Sequence, residues 1–204
     1  MTEFDEVVRR RRMTRSFSDR ELPAGMLDEL LDAACRAPSA GKSQGWHFVV
    51  LEGRETARFW DITLPVERRG TFAWPGLLNA PALVLPFADP SAYVERYSEP
   101  DKVATGLGEG VDAWPVPYWT VDASMAVMTL LLGAEDRGLG ALFFGVFRGA
   151  QELCERLGVP GHVELLGAVA LGFRAERPGI RSGRSAGRPR RALDEVVHRG
   201  AWRT

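Results

Sequence analysis

Two short basic segments carry the residue types best suited to holding an anion. Arg11, Arg12 and Arg15 lie close together near the start of the chain, and Arg188 and Arg190 near its end. A guanidinium group stays charged and forks onto phosphate oxygens. Arg12 and Arg15 are three apart, which lets both reach one anion if a helix ends there. The net charge of −1, from 26 basic and 27 acidic side chains, conceals the pattern. Residues 9–20 hold six arginines against Asp19, a sum of +5. Residues 174–204 hold nine arginines against Glu176, Asp194 and Glu195, a sum of +6, so the remainder carries −12. An acidic body of this kind does not suit nucleic acid. It suits a small anion gathered by both segments, or else two solvated charged segments. Arg96, outside both, reads as a surface charge.

Several familiar patterns fail on spacing or context. Gly41-Lys42-Ser43 looks like the end of a phosphate loop, but that loop needs glycine where the chain has Arg36. Gly183-Arg184-Ser185-Ala186-Gly187 has the G-x-S-x-G form, yet its arginine-rich surroundings offer no buried strand for a nucleophile elbow. Gly106-Leu107-Gly108 and Gly138-Leu139-Gly140 lack the dinucleotide spacing. His47, His162 and His198 are scattered, so no metal site is expected. Cys35 and Cys154 fit idle thiols in a reducing compartment. There is no leader-like apolar segment at the start and no apolar run of about 18 residues. The expectation is a cytoplasmic protein with no membrane or nucleic-acid partner.

The elements that must position the arginines follow from periodicity. Composition (45% hydrophobic, 26% charged) is that of one globular domain over residues 1–204. Helices are expected at Glu3–Arg12 and Ala24–Arg36, the second opened by a capping box at Ser18–Glu21 and ended by Pro38. Strands are expected at Trp46–Leu51, Ala80–Phe87, Ala141–Phe147 and Val163–Phe173, the last apolar enough to be central. The clearest helix is Thr120–Arg137, preceded by a short helix within Glu52–Arg69 and followed by another at Gly149–Leu157. Asp89–Pro117 has the length and Gly/Pro content of a lid or binding loop. Its Trp114, with Tyr118 and Trp119 just beyond, forms either a substrate wall or a surface packed against a neighbouring subunit. The apolar tail end, Leu193 to Trp202, has no neighbouring element to cover it.

Four segments then stand in register: Arg11-Arg12-Met13-Thr14-Arg15-Ser16-Phe17, Ala37-Pro38-Ser39-Ala40-Gly41-Lys42-Ser43-Gln44-Gly45-Trp46, Gly138 through Gly145, and Arg188 through Val197. Together they resemble the FMN-dependent nitroreductase family over nearly the whole chain. The resemblance implies an α+β fold with a central mixed sheet flanked by helices. It also implies a homodimer whose tail, residues 178–204, wraps the partner subunit. It implies FMN bound by Arg11, Arg12, Met13, Arg15, Pro38, Ser39, Ala40, Lys42, Gln44, Phe144, Gly145, Arg188 and Arg190. NADH or NADPH would then be the hydride donor and a small organic molecule the acceptor. Alternatives are a specialised relative, such as a dehalogenase or ene reducer, and a non-catalytic flavin-binding protein. The chain departs from the family pattern at Met13 (usually serine), Lys42 (usually asparagine), Gly45 (usually proline) and Phe144 (often glutamate). Lys42 near the ring would stabilise negative charge on reduced flavin.

Overall fold

The computed structural model describes residues 2–176 and 187–202. Helix α1 (Glu3–Arg10) opens with a reciprocal capping box between Thr2 and Asp5. It stops two residues before the expected end. The chain then leaves helical geometry at Arg11 and pairs with the sheet, through a parallel bridge from Met13 to Ala141 and an antiparallel one from Phe17 to Arg174. Arg12 and Arg15 therefore do not share a helix face. The same pairing removes the expected capping box at Ser18, whose N–H donates to Phe173 O. Helix α2 (Met26–Ala34) starts instead after Gly25, which sits at φ 79° without a side-chain cap.

Strand β1 (Trp46–Glu52) pairs with β2 (Ala82–Ala88). Between them lie α3 (Thr56–Thr63) and α4 (Val66–Arg69). β2 pairs with β5 (Ala168–Gly172), which pairs with β3 (Gly140–Phe144), giving the order β1-β2-β5-β3. These ladders are all antiparallel. Among the described residues, any mixed character rests on the parallel bridge from Met13 to Ala141. β3 stops at Phe144, short of the expected Phe147. The expected strand at Val163–Phe173 is split at Gly167 (φ 149°), where an added Cβ would lie 2.6 Å from Phe144 O. Its first piece, β4 (Glu164–Leu165), pairs with the far end of β2, while β5 is central as expected and wholly buried.

Alternate residues of the sheet feed two cores. On one face Val84 and Val169 meet Leu30 of α2 and Leu130 of α6 (Tyr118–Asp136). On the other, Leu83, Leu85 and Leu142 meet Phe59 and Trp60 of α3 and Leu153 of α7 (Ala150–Arg156).

The segment 89–117 is not an open lid. Asp89 caps α5 (Pro90–Tyr97) by accepting from Ser91 N at 2.8 Å, and three short 3-10 turns follow. Trp114 and Trp119 are buried with Tyr93 and Trp46 in a third core cluster, so they pack within the chain and form no substrate wall. Tyr118 remains exposed. Helix α8 (Leu193–Val196) lies in the tail, where Leu193 and Trp202 are 70% and 80% exposed. Residues 178–186, 203 and 204 of the expected wrapping tail lie outside the described residues. No helix among the described residues is long and apolar enough to cross a membrane.

Candidate functional site

The bridge that ends α1 also positions the first basic segment. Thr14 N donates to Ala141 O at 2.9 Å, which lays residues 13–15 along β3. Arg15 thereby reaches a cavity of about 460 Å³ that Phe144, Gly145, Trp60, Trp74 and Arg148 also line. Trp60 and Phe144 lie parallel, with centroids 6.0 Å apart. The Arg15 guanidinium sits 5.5 Å above the Trp74 ring. A Cβ on Gly145 would come within 2.5 Å of the Phe147 ring. Among the described residues, Arg15 and Arg148 are the charged groups that line the cavity. Flat apolar walls with a cationic rim suit a planar ring that carries negative charge.

The six arginines of residues 9–20 do not act as one cluster. Arg10 lies 3.8 Å from the buried Glu135, which also pairs with Arg174. Arg20 stacks over Phe173 at 3.9 Å. Arg12 turns back on α1 and donates to the carbonyls of Arg9 and Arg11. Arg11 is the exception. Its Nη1 is shut off from solvent and has no hydrogen-bond partner among the described residues. A buried charged donor without an acceptor is costly, so this atom fits an anionic ligand. Met13 is exposed beside it. Arg188 and Arg190 are exposed in the tail and do not line the cavity.

The second segment forms a strained loop. A 3-10 turn spans Ala40–Lys42, with Gly41, Lys42 and Gln44 at φ 59°, 60° and 53°. Positive φ is uncommon outside glycine, so something must hold Lys42 and Gln44 there. Part of the answer is local: Ser39 Oγ accepts from Gln44 N at 3.0 Å, and Ser43 Oγ donates to Ala40 O at 2.8 Å. The rest comes from distant elements. Asp122 of α6, 2% exposed, accepts from Ala40 N at 2.7 Å and from Tyr93 Oη at 2.8 Å through one carboxylate oxygen. Arg96 Nε donates to Gly41 O at 2.8 Å, while its other nitrogens fork onto Asp101. Arg96 is therefore a structural arginine, not a free surface charge. Burial, and then the bond to Asp122, push the Tyr93 phenol above its ordinary pKa. Pro38, Lys42 and Gln44 are exposed.

The two parts do not meet within one chain. The loop enters β1, and Arg15, Phe144 and Gly145 lie at β3, on the opposite edge of the four-strand order. Three strand spacings of about 4.8 Å separate those edges. The sequence motifs group both in one site and do not point to Asp122, Tyr93, Trp60 or Trp74. One signal was available: Asp122 is the sole charge in the otherwise apolar or small stretch Val121–Ala134, and a carboxylate there needs partners. His47 and His162 lie 3.5 and 3.8 Å from Asp89. Partial burial opposes ionisation of Asp89. Hydrogen bonds from Ser91 and His47 and the charge of His162 outweigh it, so the carboxyl sits below its usual range. Among the described residues no group of acidic, His or Cys side chains could hold a metal ion.

Comparison with known proteins bears on this arrangement. A Methanothermobacter thermautotrophicus protein, provisionally named an NADH dehydrogenase/NAD(P)H nitroreductase, is 31% identical over 180 residues, 86% of this chain and 80% of its own. A Bacillus subtilis protein named FMN reductase [NAD(P)H] is 28% identical over 192 residues, 94% of this chain and 71% of its own. The solved structure of the B. subtilis hypothetical oxidoreductase YcnD is 26% identical with a TM-score of 0.72, covering 100% of this chain and 76% of that one. The pattern that defines the nitroreductase family matches residues 8–173, a span that runs from α1 through β5 and so includes the β3 cavity and the strained loop. The chain belongs to the nitroreductase family of oxidoreductases.

Proposed function

We propose that the protein is an FMN-dependent NAD(P)H oxidoreductase that passes electrons to a small planar acceptor. The observation that carries this reading is the cavity at β3, which Arg15, Phe144 and Gly145 line; Arg11, four residues before Arg15, adds a buried Nη1 with no partner among the described residues. These features fit the cofactor: an unsatisfied buried cation for a phosphate, and flat aromatic walls for a ring. Bound FMN would supply hydride acceptance and electron transfer. Arg11, Arg12 and Arg15 would bind its phosphate and ribityl chain, joined by Arg188 and Arg190 of the tail. Trp60, Trp74 and Phe144 would exclude water from the ring, and the backbone of Phe144–Gly145 would face its reactive edge. Met13 offers no hydroxyl, so its side chain adds packing only.

The reading includes a homodimer in which Ser39, Ala40, Lys42 and Gln44 of one subunit complete the site of the other. Three features support this. The loop and the cavity lie on opposite sheet edges. Val121, Met125 and Met128 leave an exposed apolar stripe along α6, with Phe4 and Val8 exposed on α1. The tail exposes Leu193, Val196, Val197 and Trp202. Burying such surface stabilises by about 25 cal/mol per Å². The test is an absorption spectrum of purified protein, with mass identification of the released cofactor and assay of NADH and NADPH oxidation. FMN release with turnover supports the reading. Colourless protein that ignores added FMN overturns it.

A further inference from the structure

The strained loop is held from behind by a carboxylate that touches no part of the cavity. Asp122 lies on α6, 82 residues from Ala40, and is nearly inaccessible to water. Its Oδ2 takes two donors, the Ala40 amide and the Tyr93 phenol. A buried carboxylate in an apolar helix is costly unless its partners compensate, so it marks a feature worth that cost. A second anchor holds the same turn. Arg96 donates to Gly41 O, and the forked pair with Asp101 fixes its own position. The third is steric: a Cβ on Gly41 would lie 2.8 Å from the Tyr97 ring, so α5 packs directly beneath the turn. Four residues further, Gly45 O accepts from Asp89 N, which ties the loop's exit to the start of α5. These contacts flank Gly41, Lys42 and Gln44, the three residues at positive φ.

We propose that Asp122 is a positioning residue for cofactor binding: with Arg96 and Tyr97 it clamps residues 39–44 in a strained shape that presents Ser39, Lys42 and Gln44 for the flavin. The segment 89–117 thereby serves the site as a fixed brace and not as a moving cover. The inference rests on the proposed reading that this loop contacts FMN. The physical argument is preorganisation. A loop already held in its binding conformation loses little entropy when ligand arrives, and a released loop must be reordered by the ligand itself.

The experiment compares FMN affinity, by titration of flavin fluorescence, with melting temperature for the cofactor-free protein. Four proteins are used: wild type, Asp122→Ala, Asp122→Asn and Trp119→Phe. Asp122→Ala leaves the part-buried Ala40 amide and the buried Tyr93 hydroxyl without their acceptor, and FMN affinity is expected to fall about tenfold or more. Asp122→Asn keeps one carbonyl oxygen that can take both donors, so its affinity stays within about threefold of wild type. Trp119→Phe loses the bond from Nε1 to Glu164 but keeps an aromatic ring beside Tyr93 in the cluster against which Ala40 packs, and it leaves the Asp122 carboxylate and both of its donors in place. It is expected to lower the melting temperature and spare FMN affinity. Hydrogen exchange across residues 38–45 gives a readout independent of ligand: the Ala40 amide is protected in wild type and Asp122→Asn, and exposed in Asp122→Ala. If Asp122→Ala does not fold, Arg96→Ala replaces it, with a weaker loss of affinity of about threefold. Wild type that binds no FMN overturns the proposed function and this inference with it. Wild type that binds while Asp122→Ala binds equally well overturns the clamp alone. Parallel losses in Asp122→Ala and Trp119→Phe, or an Ala40 amide that exchanges like unstructured chain, also overturn it.

Discussion

Arg11→Ala should move two quantities in opposite directions. In the cofactor-free chain Arg11 Nη1 is buried with no partner among the described residues, and an unsatisfied buried donor costs about 1–3 kcal/mol. Removing the guanidinium removes that cost. Taking about 1 kcal/mol for the balance against lost stem packing, the cofactor-free melting temperature should rise by about 2–4 °C for a chain of this length. If the same atom receives a phosphate oxygen, the variant loses a charge-assisted bond of about 1.5–3 kcal/mol. FMN affinity should then fall roughly 10- to 150-fold. Riboflavin carries the ring without the phosphate, so its affinity should hardly change. The assay is a pair of titrations, FMN and riboflavin, alongside thermal melts of the cofactor-free protein. Arg54→Ala is the surface control, because Arg54 is exposed and lies on the 3-10 turn after β1, away from the cavity lining. Arg96 cannot serve, since it holds Gly41. A variant that melts lower than wild type and binds FMN as tightly would refute the reasoning. Equal losses for both ligands would assign Arg11 to the fold.

Three further outcomes are expected. Met128→Glu places a charge on the exposed apolar stripe of α6 and should halve the mass seen by light scattering; a wild-type monomer with flavin bound would contradict the dimer. Asp89→Ala should cost about 0.5–2 kcal/mol near neutral pH through loss of the α5 cap. Because the folded carboxyl sits below its unfolded value of about 3.9, this contribution is present above that pH and fades as pH falls through the lower folded value. The gap in melting temperature between wild type and variant should therefore narrow below about pH 4, and a gap that persists unchanged in acid would refute it. Gly167→Ala should lower the melting temperature, since its φ is 149° and the new Cβ would meet Phe144 O at 2.6 Å. A neutral result in a thermal melt would show that β4 and β5 can part without that glycine.

Local pattern alone identified most of the elements. Trp46–Leu51 and Thr120–Arg137 became β1 and α6 within a residue or two, because burial on a strand or a helix imposes its own period on the side chains. The motif order likewise placed the chain in its family, since that pattern is written in residue identity. Tertiary structure decided which of these residues meet. The bridge from Phe17 to Arg174 overrode a plausible cap at Ser18, because a long-range pairing outweighs a local hydrogen bond at an exposed turn. The dense run of arginines dispersed onto Glu135, Phe173, Trp74 and the carbonyls of α1, and of that run Arg11 Nη1 is buried with no partner among the described residues. Asp122 and Ala40 are 82 residues apart, and no periodicity links a helix carboxylate to a loop amide. Sheet order also put the Ser39–Gln44 loop and the Arg15 cavity on opposite edges. Spacing along a chain records which face a residue takes, whereas distance between elements is set by the order in which strands pair, and that order appears nowhere in local sequence.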